Sequence, residues 1–397
     1  MILTTKEFCE KYGVDRLGTN CLKWDALDVR FGDPDLTSMW VADMEFRTPE
    51  AVTDAMKKRC DHGVFGYSFP WDGYFNAFIR WEKEHFGYEM KKEWIRFAPG
   101  VVTSLYWFVN LFTEPGDAVA ILTPVYYPFH NAVKDNGRRL ICSELVNNGG
   151  RYTIDFGRFE KDIAENQVKL FILCSPHNPA GRVWDESELD RLLDICLRHH
   201  VLVVSDEIHQ DLIISEKKQI PAAIVSGGKY AGNLITVNAP SKTFNLAGLL
   251  NSHIIIENPE IRAKYDAEIK KINQTEVNIL GLTAGEAAYT YGAEWHQGLL
   301  AVIRENFAYL RDSFAKELPE VVVTPLEGTY LTWLDLRALL KPEEVKPFVQ
   351  GKCRLAVDYG EWFSSQCMGF IRLNLATKPE YVRSAVRSLI DNLKTLK

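Results

Sequence analysis

The sequence predicts an α/β protein whose mainly parallel sheet is covered by helices on both faces, followed by a smaller α+β domain. Three observations carry that expectation. Between about residues 48 and 290, short β-branched runs alternate with longer amphipathic stretches, the pattern of repeated βα units. From about residue 290 that alternation weakens. The chain of 397 residues also exceeds the size at which one hydrophobic core stops growing.

In chain order, Thr48-Pro49-Glu50 reads as a helix start, with a capping hydroxyl, a proline at the first helical position and an acid in the first turn; Gly63 closes it. The clearest strands are Ala118 to Leu122, Leu170 to Cys174, Val201 to Ser205, Leu234 to Asn238 and His253 to Ile256. Their apolar runs are continuous, as in strands buried on both faces. Asp185 caps a helix through ESELDRLLDICLRHH. A long helix (Glu294 to Leu318), a strand near Tyr330 to Leu336, and a last strand and helix after Gly369 then form the smaller domain. The expected division is a large domain over 46–289 and a second unit made of 1–45 with 290–397.

Composition narrows the function classes. The net charge is −7, and lysines and arginines are scattered rather than gathered in stripes, which argues against nucleic acid as a partner. The amino terminus lacks a basic start and a long apolar stretch, and no run reaches the roughly 18 apolar residues of a membrane span. Eight cysteines are spread singly, which fits reduced thiols and a cytoplasmic location. No metal-binding or nucleotide-binding motif competes for the chemistry.

FILCSPHNPAGRVW, VLVVSDEIHQDL and NAPSKTFNLAG each place polar groups just after an apolar strand, the edge where open α/β sheets bind ligands. Asp206 stands at the end of a buried strand, where a carboxylate needs a partner: a protonated pyridine nitrogen, or a helix terminus that it caps. His209, three residues on, returns to the same side. Lys242 lies between apolar flanks and is placed to lose its proton, as imine formation requires. Asn178 sits in an Asn-Pro turn with its amide free for a ring oxygen or for the turn alone. Gly100 to Thr103 open a helix whose free N–H groups suit a phosphate. Tyr126 has a ring for stacking on a flat cofactor or for the core. On the polar face of GFIRLNLA, Arg372 is placed to clamp a carboxylate.

Together with KWD, MWVADMEF, HGVFGYS, PGVV and PVYYPF, these segments resemble the fold-type I pyridoxal-phosphate (PLP) enzymes of the class I/II aminotransferase superfamily over essentially the whole chain. Within it the chain is most similar to the MalY/PatB-type cystathionine β-lyases. The resemblance implies a seven-stranded sheet in the large domain and Lys242 as the Schiff-base lysine. It implies Asp206 as the partner of the pyridine nitrogen, Asn178 and His209 near the ring oxygen, and Tyr126 as the stacking ring. Val101, Val102 and Ser241 fall among the cofactor contacts, and Arg372 and Tyr127 among the substrate contacts. Tyr67 matches a tyrosine that reaches the phosphate from a partner subunit, implying a homodimer with shared active sites.

Departures from the general aminotransferase pattern bear on the chemistry. Leu250 replaces a basic residue often found eight positions after the lysine, and Ala239 replaces a common serine; both favour the lyase branch. Trp362-Phe363-Ser364-Ser365 stands where many relatives carry Phe-Gly. The implied reaction is release of a thiol from the β-carbon of cystathionine or a related amino acid, leaving pyruvate and ammonia. An aminotransferase and a PLP-binding regulatory protein are the alternatives, and sequence motifs barely separate the first from the lyase.

Overall fold

The computed structural model describes residues 3–397. Seven strands form the large sheet: β1 (Ile95–Ala98), β2 (Ala118–Thr123), β3 (Arg139–Glu144), β4 (Leu170–Cys174), β5 (Leu202–Asp206), β6 (Leu234–Asn238) and β7 (Ser252–Ile255). Their spatial order is β1-β7-β6-β5-β4-β2-β3. The sheet is parallel except around β7, which pairs antiparallel with both β6 and β1. The sequence does not foretell that reversal, because both faces of β7 are buried whichever way it runs.

Continuous apolar runs become strands here because helices cover both sides. Phe171, Leu173 and Val203 enter one core cluster, while Leu170, Ile172 and Val204, pointing the opposite way along the same strands, enter another. Because β4, β5 and β6 are parallel, their carboxyl ends share one edge. That edge carries the site.

Helix α1 (Glu50–His62) starts and stops near the expected residues, and Gly63 closes it at φ 73°. Thr48 does not cap it: Pro49 is the N-cap residue, and the Thr48 hydroxyl is buried without a partner. Helix α2 (Val101–Phe112) follows Gly100. At the start of α3 (Glu186–Arg198), the Glu188 carboxylate reaches back to accept the Asp185 N–H at 2.9 Å. Lys242 sits inside a one-turn helix, α4 (Pro240–Thr243), rather than in the strand-end coil.

Beyond the large sheet run α5 (Ala293–Glu317) and an antiparallel sheet of β8 (Val322–Val323), β9 (Leu331–Asp335), β10 (Asp358–Tyr359) and β11 (Phe370–Asn374), ordered β8-β9-β11-β10. Helix α6 (Pro379–Lys394) ends the chain's regular structure. Thr37–Ser38 pairs with Leu355–Ala356, fastening the amino-terminal segment beside this sheet. Among the described residues, no helix is long and apolar enough to cross a membrane.

Candidate active site

A cavity of about 260 Å³ opens at the shared carboxyl edge of β4, β5 and β6. It brings together Asn178, Asp206, His209, Tyr126, Ser241 and Lys242, with Val101 and Val102 from the start of α2. Arg372 adjoins them through Asn178, whose Oδ1 accepts from Arg372 Nη1 at 2.8 Å.

Asp206 ends β5 and accepts the Ile208 N–H at 3.1 Å. Burial pushes its carboxyl up to about 7, opposed by that N–H and by Lys242. The turn after it sorts its side chains onto two sides. His209 joins Asp206 on the cavity, where burial, Lys242 and Arg372 hold its imidazole well below the usual range, and its Nδ1 has no partner within the chain. Glu207, Gln210 and Asp211 point away into a buried polar network. Asp211 accepts from Thr243 Oγ1 at 2.6 Å and from Trp81 Nε1 at 2.9 Å, which ties α4 down immediately beside Lys242.

Lys242 lines the cavity and stays partly exposed through it. The depth of its ammonium pulls the pKa down to about 8, against Asp43 and Asp206, which favour the charged form, and with Arg372, which opposes it. Its Nζ donates to the Ala42 carbonyl at 2.7 Å, and the Tyr330 hydroxyl donates to the same oxygen at 2.8 Å. Sequence reasoning missed both residues. Neither carries a local signal, because Ala42 acts through its backbone and Tyr330 reads as an ordinary strand residue.

At the opposite end, α2 begins from an extended Gly100 and presents first-turn N–H groups that no helical carbonyl can accept. A Cβ on Gly100 would meet no atom within 4 Å, so the space there is open. Among the described residues, Lys242 is the only lysine or arginine on the cavity wall, and Leu250 stands among the lining residues without charge.

Two expected residues lie elsewhere. Tyr127 opens the next helix and packs its ring against Trp362 and Phe363, off the cavity wall. Tyr67 is 98% exposed on the stretch after Gly63 and reaches no part of its own chain's cavity. Asp358, which sequence reasoning also missed, is the partner of Arg372 in a buried ion pair.

These residues fit PLP. A carboxylate waits at one end, a helix N-terminus and a serine at the other, an aromatic ring at the side, and a lysine with a lowered pKa within the same space. The family model for aminotransferase class I and II matches residues 35–389. The chain belongs to that family. Among its relatives is the cystathionine beta-lyase PatB of Bacillus subtilis (strain 168), 40% identical over 94% of this chain and 97% of that protein. The crystal structure of cystalysin from Treponema denticola, which contains a pyridoxal 5'-phosphate cofactor, superposes with a TM-score of 0.93 at 36% identity, covering 97% of this chain and 98% of that one. The PLP-bound C-S lyase from Staphylococcus hominis gives 0.90 at 33% identity, covering 96% of each. The aminotransferase class I and II fold thus extends over nearly the whole chain.

Proposed function

We propose that this protein is a PLP-dependent carbon–sulfur β-lyase that cleaves L-cystathionine or a related cysteine S-conjugate to a thiol, pyruvate and ammonia. The observation that carries it is the meeting of Lys242, Asp206 and Arg372–Asn178 around one cavity, in a chain similar over nearly its whole length to named C-S lyases. When bound, PLP supplies an electron sink for the charge left at the substrate α-carbon.

The chain's own residues do the rest. Lys242 anchors the cofactor and, with its pKa near 8, has a large enough neutral fraction near neutral pH to take the α-proton as a base. With PLP bound, Asp206 would hold a proton on the cofactor's ring nitrogen, and Asn178 and His209 would be the partners of its ring oxygen. Tyr126 would stack on the ring, while the Val101 and Val102 N–H groups and Ser241 would take the phosphate. Arg372 receives the substrate carboxylate. Tyr127, off the cavity wall, takes part in substrate binding only through the packing of Trp362 and Phe363.

The active unit is a homodimer in this proposal. Tyr67 lies among Val64, Phe65 and Phe69, all at least 57% exposed, and such a run of apolar surface calls for a partner. In the dimer Tyr67 serves the neighbouring subunit's phosphate. The proposal also keeps residues 46–289 as the cofactor-binding domain, with 1–45 and 290–397 as the smaller one, and a cytoplasmic location, in line with eight free cysteines.

The test is release of pyruvate and thiol from L-cystathionine by the PLP-loaded protein with no keto-acid acceptor, beside a Lys242→Ala control. Equal release of both products, absent in the control, supports the lyase. No release without an acceptor, with turnover restored by one, means an aminotransferase.

A further inference from the structure

The buried ion pair on the small sheet bears on how tightly substrate is held. Asp358 and Arg372 are directly opposed in the antiparallel β10–β11 ladder, which puts both side chains on one face. Each is 2% exposed, and Asp358 Oδ2 accepts from Arg372 Nη2. The guanidinium is crowded elsewhere too. Its Nη1 donates to Asn178, its Nη2 lies 3.4 Å from the Trp40 carbonyl, and its carbon sits 4.9 Å from the centre of the Phe363 ring. Only Nε is buried without a partner.

The arginine that would clamp a substrate carboxylate therefore already holds an anion. A second carboxylate docking there puts two like charges on one buried cation, and each raises the cost of ionising the other. Burial already pushes the Asp358 carboxyl above the usual range, with Arg372 and Arg30 pulling the other way. We propose that Asp358 is a positioning residue that sets the strength of the clamp: it fixes Arg372 in place and, as a resident anion, weakens the clamp for the α-carboxylate. Every amino acid carries that carboxylate, so the effect falls on how tightly any amino acid is held and is common to all substrates.

This rests on reading Arg372 as the carboxylate clamp, and the experiment separates the two. The probe is propionate, a carboxylate without an amine, titrated calorimetrically into the PLP-loaded wild type, Asp358→Asn and Arg372→Ala. Asp358→Asn keeps size and an acceptor oxygen but removes the charge. It should bind propionate about tenfold tighter, the effect of relieving one unit of like-charge destabilisation, and its KM for L-cysteine should fall by a similar factor. Structural damage would weaken binding, so a gain is diagnostic. Asp358→Ser, also uncharged but too short to hold the guanidinium, should gain less than Asp358→Asn because it loses positioning along with the charge, and it guards against one variant misfolding. Equal or weaker binding in both neutral variants overturns the proposal. If Arg372→Ala binds propionate as well as wild type does, the clamp reading itself fails; if it loses binding while the Asp358 variants match wild type, only the role of Asp358 fails.

Discussion

The floor of the cavity and its rim are built from different kinds of structure. Floor residues come from adjacent parallel strands: Asp206 ends β5, while Asn178 and Lys242 each stand four residues beyond the ends of β4 and β6. Behind them Asp211 holds α4 by Thr243, and buried Glu82 accepts from Gln210 at 2.5 Å and Asn238 at 3.0 Å. The rim is assembled from distant parts of the chain. Asn374 donates to the Val41 and Asp43 carbonyls, both at 2.6 Å, Tyr330 donates to Ala42, and Arg372 meets Asp358. The floor carries groups whose proton affinity is shifted by burial: Asp206 upward, His209 and Lys242 downward. In the proposed function the group that receives the substrate carboxylate, Arg372, belongs to the rim, so damage to the two regions should differ in kind.

The largest effect expected is on the floor. Lys242→Ala should lower kcat for thiol release by roughly 10³- to 10⁴-fold, the loss of a positioned base, while the protein still binds PLP non-covalently. Steady-state kinetics and the cofactor's absorbance check both. Asp206→Asn should cost about 10²-fold in kcat by weakening the ring's hold on its proton, with KM little moved. A rim variant breaks the pattern the other way. Arg372→Ala should raise KM by roughly 30- to 150-fold, as expected for losing a buried charged contact of about 2–3 kcal/mol, and urea unfolding should report a loss of about 3–5 kcal/mol because Asp358 is left buried and unpaired.

The smallest expected effect couples the two regions. The rate at which apoprotein captures PLP should rise with pH and level off above about 8, where the Lys242 amine becomes neutral. Its pKa is lowered, so the reactive form is present above that value and lost below it. Arg372→Ala removes a charge that favours the neutral amine, and the plateau should move to higher pH. An unmoved plateau would mean that rim and floor are electrostatically independent.

Much of the floor could be read from sequence because each member follows an apolar run that can only be a buried strand. VLVVSD and LITVNAPSK place polar residues at strand ends by local pattern alone. Arg372 was legible from the alternation of GFIRLN. Asp358 was not, since β10 is two residues long and only its register with β11 sets its side chain against Arg372. Ala42 and Tyr330 were hidden for a similar reason, their roles arising from contacts across 200 and 288 residues. Tyr127 lies off the cavity wall although Tyr126 lines it, because Tyr126 is the N-cap residue and Tyr127 opens the helix, so adjacency in sequence does not put the two rings on one side. Thr48 failed as a cap because the helix begins one residue later than its hydroxyl could serve.

The most direct test of the central claim is where the cofactor attaches. Borohydride reduction of the PLP-loaded protein, followed by digestion and mass measurement of the peptides, should place a single reduced pyridoxyl group on Lys242. Attachment at any other lysine, or no stable label in a protein that still turns over L-cystathionine, would contradict the account of the floor.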